Sequence, residues 1–154
     1  MFNTLLPQAN LSTYRGHPIA KWVFIVITFI TLARSLVHII TPDGGAQSIA
    51  TIPLDTFTAA GAEAVIFVFG LWGISQLLLG FVFVLVIWRY AALIPLMYVF
   101  ILMEYAMRFG LGVFKSLQTT GTAPGGIGNY VFIGLSILML IVALRTSKDP
   151  AKMS

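Results

Sequence analysis

Apolar positions in this chain fall in long runs separated by short polar stretches. The first run begins near Ile19 and continues to Ile40, interrupted by Arg34 and His38. About 20 helical residues cover the hydrocarbon core of a bilayer. The run therefore predicts a spanning helix over 19–41, with Pro18 in its first turn and Pro42 beyond its end. The residues before it are polar, so the helix reads as retained rather than as a cleaved leader. A second helix is expected over 62–88 and a third over 91–114, divided by Trp88, Arg89 and Tyr90, the aromatic and cationic residues of a membrane interface. No Gly or Pro marks that break, but one helix across both runs would be too long for a bilayer. Pro95 falls one turn into the third helix. A fourth helix, over 127–145, draws on part of the stretch Ala123-Pro124-Gly125-Gly126-Ile127-Gly128 to reach spanning length.

Two loops, 42–61 and 115–126, join these helices on one side. The first holds Gly44 and Gly45, and its apolar residues Ile49, Ile52, Leu54 and Phe57 suggest a segment lying on the membrane surface or over the bundle. The predicted class is all-α: one domain over 1–154, a polytopic membrane protein built as a four-helix transmembrane bundle.

Composition agrees with the pattern. The chain is 58% hydrophobic and 9% charged, with a mean hydropathy of +0.96, whereas a soluble domain is roughly a quarter charged. A net charge of +4 would point to nucleic acid in a soluble chain. Here it reports topology, and no nucleic-acid partner is expected. Arg15, Lys21, Arg89, Arg145, Lys148 and Lys152 fall on one side of a four-helix arrangement. Lys115 faces Asp43, Asp55 and Glu63 on the other. The positive-inside rule then places both termini in the cytoplasm, with the chain integral to the cell or inner membrane. The triplet Asn10-Leu11-Ser12 matches a glycosylation sequon on the wrong side for that modification.

The informative residues are ionisable groups inside the helices, which cost about 2.5–3.5 kcal/mol each at mid-membrane on insertion scales. They are Arg34 and His38 in the first helix, and Glu104 and Arg108 in the third, with polar Gln76 in the second. At about 1.5 Å of rise per residue, Arg34, Gln76 and Glu104 lie about 18–21 Å from the cytoplasmic surface and share one layer. Each charged pair is spaced i,i+4, so each helix presents a polar stripe on one face. Turning both stripes inward pairs Arg34 with Glu104, leaves Arg108 and His38 nearer the outer water, and predicts an outward-opening polar cavity. A purely structural alternative has Glu104 and Arg108 neutralising each other, Arg34 snorkelling outward and Gln76 joining helices. Gly70, Gly73 and Gly80 form a small-residue stripe suited to close helix contact.

Several chemistries are set aside. There is no cysteine, which removes disulfides, thiolate metal sites and cysteine nucleophiles. His17 and His38 sit about a bilayer apart and cannot together hold a haem. One Glu and one His inside the helices are too few for a di-iron centre. No serine lies in a nucleophile motif. Neither an enzyme, a cofactor nor a metal is expected.

The four-helix layout, the arginine in the outer third of the first helix and Arg108-Phe109-Gly110 closing the third resemble the DoxX-like group of small membrane proteins, over Trp22 to Leu144. The resemblance implies a four-helix bundle and no site residues. From the residues themselves, the expected function is binding of a lipid-like or small anionic ligand. Arg34 and Arg108 are the anchors, Glu104 the counter-charge, His38 a pH-sensitive rim group and Gln76 a polar neighbour. Two other readings stay open. One is a structural or accessory subunit docked to a partner membrane protein. The other is a small homo-oligomeric transporter with Glu104 as its coupling site.

Overall fold

The computed structural model describes residues 12–145. The start of the triplet at Asn10 and the tail cations Lys148 and Lys152 lie outside the described residues. Among the described residues the fold is all-helical, with four helices long and apolar enough to cross a membrane: α1 (Pro18–Ile40), α2 (Ala59–Arg89), α3 (Ile94–Phe114) and α4 (Pro124–Leu144).

The ends of these helices follow from local chemistry. Pro18 opens α1, where its missing N–H is no loss, and the His17 ring accepts the N–H of Ile19 at 3.3 Å. Thr41 ends it, just before Pro42. Thr58 caps α2 by accepting from the N–H of Gly61 at 3.2 Å. The break after α2 lies at Tyr90, followed by a 3-10 turn, Ala91–Leu93. Pro95 is the cause that position alone did not suggest. A helix running through would set its ring against the Ala91 carbonyl and leave that acceptor unpaired. The proline thus sits at the second position of α3 rather than a full turn in.

Helix α4 starts at Pro124, three residues before the expected position, and takes in all of Gly125, Gly126 and Gly128. Each glycine disfavours helix by about 1 kcal/mol relative to alanine. Unpaired backbone groups in lipid cost several times that, so the helix wins.

The helices form two hairpins, α1 with α2 and α3 with α4, and α1 also touches α3 and α4. The core lies toward the end where α1 begins and α4 finishes, with Phe24, Phe83 and Tyr98 fully buried. Their rings meet at 5.1 Å (Phe24–Phe83) and 5.9 Å (Phe24–Tyr98). The Tyr98 hydroxyl donates to the Ala20 carbonyl at 2.6 Å, satisfying the one polar atom of that cluster's rings. On α2, the Gly73 and Gly80 stripe faces α1, against His38, Ile39 and Leu32.

At the opposite end, the loop between α1 and α2 folds back over α2. Ala46, Ile52 and Leu54 are buried there against Val65, Ile66 and Phe69, whereas Ile49 and Phe57 stay exposed. The two long loops then join. Thr51 accepts from the N–H of Thr120 at 3.0 Å, and its hydroxyl donates to the Gly121 carbonyl at 3.1 Å. Thr51 holds a φ of 57° to do so, a left-handed conformation uncommon for a β-branched residue.

Candidate ligand-binding site

Three helices bring the polar side chains together. Arg34 comes from α1, Trp72 and Gln76 from α2, and Glu104, Tyr105 and Arg108 from α3. Arg34 does not meet Glu104 directly; Gln76 stands between them. Its Oε1 accepts from Arg34 Nε at 3.1 Å and Nη2 at 2.6 Å, and its Nε2 donates to Glu104 Oε1 at 2.8 Å. The amide thus presents its oxygen to the cation and its nitrogen to the carboxylate, the one orientation that satisfies both neighbours. The expected Arg34–Glu104 pair is therefore corrected to a relay. The shared depth of Arg34, Gln76 and Glu104 is observed.

Arg108, with a partly exposed side chain, donates to Glu104 one turn back on its own helix, the pairing that the structural alternative expects. Arg34 also donates to the Tyr105 hydroxyl at 3.1 Å. Both guanidinium groups lie near the Trp72 ring, Arg108 at 4.5 Å and Arg34 at 5.8 Å from its centroid. Such contacts are worth more where water is excluded. Tyr105 in turn stacks on Phe132 at 4.5 Å, which ties the cluster to α4.

His38 is corrected as well. It is 5% exposed and no rim group. Its Nδ1 lies 2.7 Å from the Gly44 carbonyl, which can only accept, so Nδ1 carries the proton. The ring packs on Trp72 at 4.5 Å and Phe69 at 5.7 Å. His38 anchors the first loop to the bundle.

That loop is organised by Asp43. Its carboxylate accepts from the N–H groups of Gly45, Gln47 and Ser48 at 2.9, 3.1 and 2.7 Å. The Gly44-Gly45 turn, with both residues at positive φ, thus wraps the chain's own carboxylate. Partial burial works to raise the Asp43 pKa, but the hydrogen bonds from Ser48, Gly45 and Gln47 outweigh it and bring it to about 2. A depressed carboxylate stabilises fully above its ordinary value of 3.8 and loses that contribution as pH falls through about 2. Carboxyl-carbon NMR is expected to show Asp43 titrating near 2; a midpoint at 3.8 would contradict the turn.

Trp72 and Tyr105 were missed in the sequence. Trp72 lies four residues before Gln76, on the same face of α2, and that spacing was the available signal. Among the described residues no group of three or more His, Asp or Glu side chains gathers as a metal site would require. The cluster carries two cations and one carboxylate, with Arg108 and Glu104 side chains 23% and 26% exposed and Gln76 buried. No protein-family model, curated protein or solved structure matches the chain, so the cluster is read from its own geometry.

Proposed function

We propose that this protein binds the anionic group of a lipid-like or small ligand at the Arg34–Gln76–Glu104–Arg108 cluster. The observation that carries the reading is the unspent capacity of Arg108. A guanidinium offers five N–H donors. Arg108 gives one to Glu104 and keeps a partly exposed side chain steadied by Trp72. Arg34, by contrast, spends three donors on Gln76 and Tyr105 and supports the site electrostatically. With two guanidinium groups against one carboxylate, the cluster holds a surplus positive charge that a carboxylate or phosphate neutralises. His38 contributes by holding Trp72 and the first loop in place.

The same reading includes an orientation. Among the described residues, Arg15, Lys21, Arg89 and Arg145 lie at the end where α1 begins and α4 finishes, while Asp43, Asp55, Glu63 and the single cation Lys115 lie toward the two long loops. We place the termini in the cytoplasm and the cluster in the outer half of the membrane on that asymmetry.

Titration calorimetry of the detergent-purified chain with dodecyl phosphate and with laurate tests the site. Saturable binding is expected for at least one, weakened about tenfold or more in Arg108→Gln, since a hydrogen bond to a charged group contributes about 1.5–3 kcal/mol. Glu104→Gln removes the competing carboxylate and is expected to tighten binding. Binding that is absent in the parent, or equal in the parent and Arg108→Gln, overturns the reading.

A further inference from the structure

A pocket lies at the other end of the bundle, away from the cluster above. The segment leading into α1, the turn between α2 and α3 and the end of α4 line an open pocket of about 280 Å³. One water needs roughly 10–15 Å³ on such a measure, so the space holds a polyatomic group. Pockets for whole drug-sized ligands start at about 300 Å³. The occupant is therefore a small group or one end of a larger molecule.

The walls are divided by chemistry. Among the lining residues Thr13 and Arg15 are polar and exposed, while Ala92, Pro95 and Leu144 bring short apolar surface from three different elements. Tyr14, also in the wall, is held by a hydrogen bond from its hydroxyl to the His17 carbonyl at 3.2 Å. Gly16 lets this segment approach the end of α4, since a Cβ there would collide with the Ala143 carbonyl. The wall bearing Arg15 is thus pinned to both α1 and α4.

Charge selects the occupant. Among the described residues, Arg15, Lys21, Arg89 and Arg145 lie at this end, and every Asp or Glu (Asp43, Asp55, Glu63 and Glu104) lies from mid-bundle to the loops. Nothing anionic in the described chain competes for Arg15 here. A guanidinium beside a hydroxyl suits the oxygens of a phosphate, and the apolar wall suits the carbon framework that a phosphodiester carries. We infer that this cavity receives a phosphate group, with Arg15 and Thr13 on its oxygens and Ala92, Pro95 and Leu144 against the carbons it is esterified to. A membrane protein can meet that group on an anionic phospholipid or as free phosphate.

Native mass spectrometry of the full chain, released from nanodiscs, tests this. The parent is expected to retain phosphatidylglycerol and not phosphatidylcholine, whose choline cation faces the same arginine. Arg15→Gln should reduce retention about tenfold. Ala92→Trp, which fills the cavity and keeps every cation, should reduce it equally, while Lys21→Gln, outside the cavity, should not. Retention unchanged in Ala92→Trp would show attraction by surface charge alone and overturn the site. A phosphorus NMR titration with inorganic phosphate separates the sources. Broadening that vanishes in Arg15→Gln assigns free phosphate as an occupant, and lipid retention without broadening assigns the phospholipid. Neither signal in the parent overturns the inference. The unfolding midpoint in mixed micelles of increasing SDS fraction, unchanged in each variant, serves as the folding control, and laurate, which carries no phosphate, reports on Arg108, so failure here and failure of the outer cluster are told apart.

Discussion

Gln76→Leu is expected to destabilise the bundle by about 2–3 kcal/mol, although leucine fills nearly the same space. Gln76 is 4% exposed and makes three hydrogen bonds, two from Arg34 and one to Glu104. Leucine leaves Arg34 with the Tyr105 hydroxyl and the aromatic rings beside it. Hydrogen bonds between membrane helices average only about 0.6 kcal/mol, because groups in the unfolded membrane state also find partners. Bonds to charged groups run about 1.5–3 kcal/mol. The loss here falls on two charged groups, so the upper range applies, tempered by the contacts each retains. Unfolding in mixed micelles of increasing SDS fraction measures it. An unchanged midpoint would mean that Arg34 repacks onto Trp72 without loss.

Gly73→Leu is expected to be worse, at more than about 3 kcal/mol, because it forces α1 and α2 apart. A Cβ at Gly73 would lie 2.8 Å from His38 Cβ, 3.0 Å from Ile39 Cγ1 and 3.1 Å from the Ser35 carbonyl oxygen. None of these is the free end of a flexible side chain. At Gly80 the near atom is Leu32 Cδ2, at 2.5 Å, which can rotate away. At Gly70 only the His38 carbonyl comes near, at 4.0 Å. Overpacking costs about 1–3 kcal/mol, and glycine-to-alanine exchange returns up to about 1 kcal/mol in helix propensity. The alanine series should therefore order as Gly70 neutral or stabilising, Gly80 intermediate and Gly73 most costly. Equal midpoints across the three would refute close packing as the reason for the stripe.

The contrast between these sites shows which parts of the structure could be read in advance. Helix number and most helix ends were legible, because apolar run length, Pro18, Pro42 and the interfacial Trp88-Arg89-Tyr90 act locally. The start of α4 falls three residues earlier than spanning length alone required, because the helix takes in the glycine-rich stretch from Pro124 onward rather than part of it. Depth counting put Arg34, Gln76 and Glu104 in one layer, and they meet there. Which atom bonds which depends on helix rotation and side-chain reach, so a direct Arg34–Glu104 contact gives way to the Gln76 relay, while the Arg108–Glu104 pair and a helix-joining Gln76 are those of the structural alternative. His38 was assigned to water because its depth was known and the course of the first loop was not. The link between Thr51 and Thr120 joins residues far apart in sequence and leaves no local signal.

The division of the cluster between two hairpins has a consequence for synthesis. A chain made from its N-terminus delivers α1 and α2 to the bilayer before α3 and α4 exist. During that interval Arg34 can reach Gln76 but neither Tyr105 nor the carboxylate of Glu104. The glutamine is therefore an early escort for the arginine, neutral enough to enter lipid with it. The second hairpin arrives with its own pair, Glu104 and Arg108, already matched one turn apart. Each half thus enters with its polar groups provisionally satisfied, and docking exchanges neither partnership but links the two.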